Sequence, residues 1–252
     1  MKKILLIIPV LAMMILIGCF GGKNVKRELK PLEKLQKAKT LLDKEKYLKA
    51  QDILSLWIIE NPGSPLKDKA RFWLGLTHFH TKEYLIAISE FSRLIQEMPE
   101  SPLIGDAQYY IAMSYFKMSP FPELDQEYTR KALREFQLFI ETFPDHKNVQ
   151  DATKHIQELR QKLAIKTLKN AHLYRKMGQL NGALLYFSEI LENYYDLPQA
   201  EEALFWAGHI ELELKKYNEA QNHLNIYLNK YPEGKYVQKA KELLERLINE
   251  KS

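Results

Sequence analysis

The sequence predicts an all-α protein, a solenoid of five helix-turn-helix units closed by a C-terminal capping helix. Three observations carry this. First, the 252 residues include only 10 glycines and 11 prolines, and no stretch alternates β-branched with polar residues between turn pairs, as an all-β fold requires. Second, apolar residues make up 46% of the chain, enough for ordinary buried cores. Third, the chain aligns with itself without gaps: Ala70-Arg71-Phe72-Trp73-Leu74-Gly75 matches Ala203-Leu204-Phe205-Trp206-Ala207-Gly208, and the register holds from Tyr84 and Tyr217 to Pro99 and Pro232. Self-similarity at fixed spacing is the signature of stacked repeats.

The skeleton is a small residue, an alanine twelve positions later, an aromatic or leucine four beyond that, and a closing proline. It reads Ala38, Ala50, Leu54, Pro62 in the first unit and Gly75, Ala87, Phe91, Pro99 in the second. The third reads Ala112, Ala132, Phe136, Pro144 and the fifth Gly208, Ala220, Leu224, Pro232. The fourth, Ala171, Ala183, Phe187, has Tyr195 at the proline position. This pattern resembles the tetratricopeptide (TPR) repeat. Small residues let two antiparallel helices approach closely, the larger residue fills the space between neighbouring pairs, and proline ends the second helix. Each unit alone leaves an apolar face exposed, and stacking covers it, giving a superhelix with a concave surface.

The amphipathic stretch from Lys235 to Asn249 suits the capping helix. Two irregularities interrupt the repeats. Eight extra residues separate Ala112 from Ala132, and Ser119-Pro120-Phe121-Pro122 there makes a loop with an aromatic between prolines. Residues 149–177 form one long helical pattern that joins a lobe of three units (31–145) to a lobe of two units and the cap (146–252), which suggests a bent rod.

Residues 1–18 have a basic start, Lys2 and Lys3, and an apolar run from Ile4 to Ile17, the layout of an export signal. That run is shorter than the ~20 residues a helix needs to cross a bilayer, so a permanent transmembrane anchor is the weaker alternative. It ends in Leu16-Ile17-Gly18-Cys19, which resembles the lipobox of bacterial lipoproteins and makes Cys19, the chain's one cysteine, the expected site of diacylglycerol and N-acyl attachment. Several acyl chains hold a protein stably on a membrane; the competing reading is a free cysteine near the membrane. Residues 19–30 then form a tether, and Phe20 after the cysteine resembles the pattern of lipoproteins sent to the outer membrane.

No motif for catalysis stands out. The seven histidines show no i, i+4 pair, and no HExxH, GxSxG, P-loop, GxGxxG or CxxC occurs. The expectation is a protein that is no enzyme and that has no metal and no cofactor beyond the lipid. The 37 basic and 32 acidic residues intermix along the chain, without the single-sign field that steers nucleic acid; removing Lys2 and Lys3 leaves a net charge of +3.

Candidate binding residues lie on the first helices of the second and third units. Phe72, Leu76 and Phe79 fall at i, i+4, i+7, and Tyr109, Met113 and Phe116 repeat the stripe. A separate small-residue stripe (Ala70, Leu74, Thr77; Ala107, Ile111, Ser114) already suits repeat packing, so the aromatic stripe is either a peptide groove or further helix packing.

The lipobox, the five units with an enlarged third, and the run Asp125-Gln126, Thr129, Ala132, Phe136, Pro144, Asp151-Ala152 resemble the BamD family, the lipoprotein component of the outer-membrane β-barrel assembly (BAM) machinery. The resemblance implies a non-catalytic scaffold, lipid-anchored in the outer membrane and facing the periplasm. It also implies contact of the C-terminal units with a BamA-like barrel subunit, other assembly lipoproteins as neighbours, and N-terminal units that receive unfolded outer membrane protein segments. Some members place an arginine toward the barrel subunit where this chain has Tyr186. The alternatives are TPR envelope adaptors, either Tol-associated or of the pilus-secretin pilotin type.

Overall fold

The structure, a computed structural model, describes residues 29–251. The expected leader, the lipobox with Cys19 and the tether up to Glu28 lie outside the described residues. Among the described residues there are eleven α-helices and no strand. Unit 1 is α1 (Pro31–Asp43) with α2 (Tyr47–Glu60); unit 2 is α3 (Lys67–His80) with α4 (Tyr84–Glu97); unit 3 is α5 (Ile104–Met118) with α6 (Glu127–Thr142). The C-terminal half of α7 (Val149–Lys176) pairs with α8 (Leu180–Asn193) as unit 4, α9 (Gln199–Glu213) with α10 (Tyr217–Lys230) forms unit 5, and α11 (Val237–Lys251) follows as the cap.

Each helix packs on the next, and first helices also touch across units, α1 on α3, α3 on α5, α7 on α9 and α9 on α11. The repeat skeleton is the centre of this packing. Ala38, Ala50, Leu54, Ala87, Phe91, Ala112, Ala132, Phe136, Ala171, Ala183, Phe187, Ala220 and Leu224 are all fully buried. Gly75 shows why a small residue is needed, because a Cβ there would lie 2.6 Å from the Phe91 ring; at Gly208 it would lie 2.9 Å from Leu224.

The turn inside a unit has its own requirement. Glu45, Lys82, Gly178 and Lys215 occupy the same repeat position and take φ of 55°, 65°, 73° and 60°. Each ends a first helix in the left-handed conformation, with the next residue's N–H returning to a carbonyl five residues back, as Glu83 does to His78 at 2.8 Å and Lys216 to Glu211 at 2.8 Å. Unit 3 lacks this turn: Ser119 at the equivalent place is extended (φ −63°, ψ 118°) and leads into the inserted loop.

Second helices stop two residues before Pro62, Pro99, Pro144 and Pro232, since the residue ahead of a proline is pushed out of helical geometry. Unit 4 stops at the same point without a proline. There Arg160 of α7 grips the turn instead, with both guanidinium arms on Asp196 at 2.7 Å and a third bond to the Asn193 carbonyl at 3.1 Å. The ion pair raises the Arg160 pKa and lowers that of Asp196.

The cap does what the sequence leads one to expect. Ala240 and Leu247 of α11, with Tyr236 just ahead of it, are buried against α9 and α10, which closes the apolar end of the stack.

Candidate functional site

The expected aromatic stripe forms a packing seam, and this corrects the reading of Phe72 and Tyr109 as an exposed groove wall. Both are only 8% exposed. Phe72 lies against Phe91 and Tyr110, with ring centroids 5.6 Å and 6.0 Å away, and Tyr109 donates its hydroxyl to Asp151 of α7. Burial and that carboxylate push the Tyr109 pKa well above its ordinary value. Leu76, Phe79, Met113 and Phe116 keep partial exposure while packing on the same cores; Phe79 meets Tyr110 at 5.2 Å and Phe116 meets His155 at 4.2 Å. The small-residue stripe (Ala70, Leu74, Thr77, Ala107, Ile111, Ser114) is buried throughout. The physical reason is aromatic cover that the spacing alone does not show: Tyr110 of the next unit lies over Phe72 and Phe79, and Phe136 and Phe139 of α6 lie beside Tyr109.

The junction of units 3 and 4 carries more distinctive architecture. The inserted loop from Ser119 to Gln126 exposes Phe121 (78%) and Leu124 (58%), yet it is held from both sides. Gln126, 2% exposed, donates its amide to the carbonyls of Phe121 at 2.8 Å and Leu124 at 3.0 Å, and Thr129 donates to the Gln126 amide oxygen at 2.7 Å. These are the glutamine and threonine of the run that resembles the BamD family, so that run is the lock of this loop. From the other side Lys162, Lys166 and Lys169, on one face of α7 at i, i+4, i+7, reach the Ser119 hydroxyl (2.7 Å), the Glu123 carbonyl (2.9 Å) and the Glu123 carboxylate. Burial lowers the Lys162 pKa, and Lys169 lowers that of Glu123.

Beside the loop, a cleft of about 570 Å³ opens between α6 and α8 with α7 as its floor. Arg130, Arg134, Lys166 and Asn170 line it together with Tyr186 and Tyr194. Two carboxylates are present: Asp125 at the rim, 3.9 Å from Arg130, and Glu189, which accepts from Thr167 at 3.4 Å. Tyr186, the residue singled out from the sequence, stands on this wall with its ring 5.1 Å from Tyr174. Burial raises the Tyr194 pKa. The sequence reading missed Arg130, Arg134 and the lysine ladder, although their helical spacing was a visible signal.

An open, partly charged cleft beside a loop that exposes Phe121 and Leu124 is suited to protein docking. Among the described residues no group of three or more His, Cys, Asp or Glu side chains is placed to hold a metal. His78 bonds Glu83 at 2.7 Å and His80 stacks on Tyr47 at 4.7 Å. Among the described residues no helix is long and apolar enough to cross a membrane.

Comparison with known proteins places this architecture. A tetratricopeptide repeat model matches residues 202–234, which is unit 5. The chain is also similar to solved tetratricopeptide repeat proteins, one from Parabacteroides merdae (16% identical, 87% of this chain and 73% of that one, TM-score 0.38) and one from Thermus thermophilus (15% identical, 87% and 98%, TM-score 0.38). A curated relative, "Outer membrane protein assembly factor BamD" of Rickettsia prowazekii, is 25% identical over 237 residues, 94% of each chain. The family model described as YfiO, outer membrane lipoprotein, matches residues 27–209, which take in units 1 to 4 and most of α9, and the chain therefore belongs to the YfiO family of outer membrane lipoproteins.

Proposed function

We propose that this chain is a non-catalytic scaffold of an outer-membrane β-barrel assembly machinery. It is held in the outer membrane by acyl chains on Cys19, faces the periplasm, and docks a BamA-like barrel subunit at the cleft between α6 and α8. The observation that carries this reading is the alignment with the assembly factor of Rickettsia prowazekii over 94% of both chains, which covers every repeat unit. The built loop at the unit 3–4 junction supports the docking surface: a buried glutamine and three lysines hold Phe121 and Leu124 out toward solvent, and exposed apolar side chains held in place mark interaction sites.

The N-terminal units receive unfolded outer membrane protein segments. With Phe72 and Tyr109 buried, such contact falls to the partly exposed edge made by Leu76, Phe79, Met113 and Phe116. Other assembly lipoproteins are neighbours in the same complex.

The test is purification of the lipidated chain from membranes in mild detergent, with Tyr186→Ala plus Arg134→Glu as the altered cleft. The wild-type chain co-purifies with a barrel protein bearing periplasmic domains, and the double variant loses it while keeping its helical content. Recovery of Tol or secretin components instead would replace this reading with one of the adaptor alternatives.

A further inference from the structure

We propose that the outer face of unit 1 is a membrane-apposed surface that binds anionic phospholipid headgroups directly, independently of acyl chains on Cys19. The inference deepens the anchoring reading and shares its orientation, but it rests on different residues.

The charge of the chain is unevenly placed, contrary to the intermixing expected from the sequence. Residues 29–49 hold seven lysines against three acidic residues, net +4, whereas residues 50–252 carry a net −3. Lys30, Lys37, Lys44, Lys46 and Lys49 are exposed. No arginine lies within residues 29–49. Lysine is a compact point charge without the planar fork that reads carboxylates in a fixed geometry, so this field suits a diffuse anionic surface better than one acidic peptide.

The repeat register shows what this face is not for. Glu33, Lys37 and Thr40 of α1 occupy the positions of Ala70, Leu74 and Thr77 in α3, which are buried where α3 packs on the preceding α2. A further helix pair on α1 would have to bury Glu33 and Lys37, a strongly unfavourable exchange. The face is nevertheless apolar in places. Leu48, Leu56 and Ile59 share one side of α2 and are 67%, 60% and 75% exposed, and Leu32 is 59% exposed. A groove of about 280 Å³ beside them is lined by Leu29, Ile53, Leu56 and Trp57, with Lys34, Lys37 and Glu60 at its edge. The carboxylates of this region are Glu33, Asp43 and Glu45 among the lysines, with Asp43 paired to Lys39, together with Asp52 on the same side of α2 and Glu60, bonded to Lys34 at 3.0 Å.

Aliphatic side chains set among lysines are the composition of interfacial membrane contacts. The location agrees: the eleven residues between Cys19 and Pro31 span at most about 40 Å when fully extended, so unit 1 is the part of the described chain held nearest a lipid on Cys19.

The test uses the full mature chain with Cys19→Ser, so that no acyl chain contributes. It is sedimented with vesicles of phosphatidylethanolamine containing about 30% phosphatidylglycerol, and with vesicles of phosphatidylcholine alone. The chain partitions to the anionic vesicles, and binding falls at about 0.5 M salt, where the Debye length shrinks to a few ångströms. Lys37→Glu, Lys44→Glu and Lys49→Glu together reduce partition about tenfold or more. The same charge change at the far end, Lys235→Glu, Lys239→Glu and Lys241→Glu, leaves it near the parent value. Leu48→Ser with Ile59→Ser weakens binding without changing the salt dependence, and circular dichroism verifies the fold of each variant. Absence of binding by the Cys19→Ser chain overturns the proposal, as does an equal loss from the far-end triple. Self-association of the chain that the Leu48→Ser, Ile59→Ser variant abolishes also overturns it, by assigning the face to a second copy. Palmitate labelling of the wild-type chain in cells separately reports on Cys19, so failure of the anchor and failure of this surface are distinguishable.

Discussion

Lys162 of α7 donates to the Ser119 hydroxyl at 2.7 Å, tying the start of the unit 3 loop to the helix that begins unit 4. Two turns further along α7, Lys169 holds Glu123 of the same loop, while Arg160 holds the turn that ends unit 4. One helix thus fixes both irregular segments of the solenoid, and the cleft lies between them.

The loop lock predicts a local effect. Gln126→Leu removes two bonds to loop carbonyls and the amide oxygen that accepts from Thr129, whose hydroxyl keeps only Ser119 at 2.7 Å, at a cost of about 1–3 kcal/mol. Hydrogen exchange should rise in residues 119–126 and stay unchanged in units 1 and 5. Uniform loss of protection along the chain would show that the glutamine supports the whole fold instead.

Close approach of the paired helices predicts that Gly75→Ala destabilises. Helix propensity favours alanine by about 1 kcal/mol, but overpacking against the Phe91 ring costs about 1–3 kcal/mol, so a net loss of about 1 kcal/mol is expected in urea denaturation. Gly63, where a Cβ would meet nothing within 4 Å, is the control, and Gly63→Ala should fall within about 0.5 kcal/mol of the parent.

The left-handed turns predict a gain. Lys215 holds φ 60°, a conformation that costs an L-residue about 1 kcal/mol or more. Lys215→Gly should raise stability by about 0.5–1 kcal/mol, measured as a shift in the denaturation midpoint with an unchanged slope. A loss would show that the lysine side chain outweighs the backbone relief.

Glu202 gives a pH prediction. His172 lies 3.0 Å from its carboxylate and Tyr236 donates to it at 3.0 Å; these contacts, led by the His172 bond, hold its pKa down to about 2. A carboxyl with a folded pKa below its unfolded value of about 4.3 stabilises the fold above that value and loses the contribution as pH falls toward the folded pKa. Glu202→Gln should therefore cost about 1 kcal/mol at neutral pH, a figure reduced for partial solvent exposure. The gap to the parent should narrow steadily from about pH 5 to about pH 3, followed by denaturation at stepped pH. A gap constant over that range would contradict the assignment.

Much of this fold was legible because close packing restricts residue type: only a small side chain fits opposite Phe91, and proline marks where Glu60, Glu97, Thr142 and Lys230 end their helices. The long α7 and the cap were equally visible as uninterrupted helical patterns. The occupied face of α3 was not, because spacing gives the stripe Phe72, Leu76, Phe79 without showing that Tyr110 of the next unit covers it. The ion pair of Arg71 with Glu90, 2.8 Å apart and both under 10% exposed, was also hidden, since its partners lie on different helices. In the candidate site, Tyr186 and the Asp125-Gln126 run stood out in the sequence. Their union in one cleft with Arg130, Arg134 and Lys166 depends on α7 carrying unit 4 past unit 3.

The most direct measurement is the mild-detergent purification of the lipidated wild-type chain beside its Tyr186→Ala, Arg134→Glu variant, with the bound proteins identified by mass spectrometry. The account predicts a near-stoichiometric barrel subunit with periplasmic domains on the wild-type chain and its loss from the folded variant. Wild-type chain recovered from outer membranes without any such subunit would contradict the central claim.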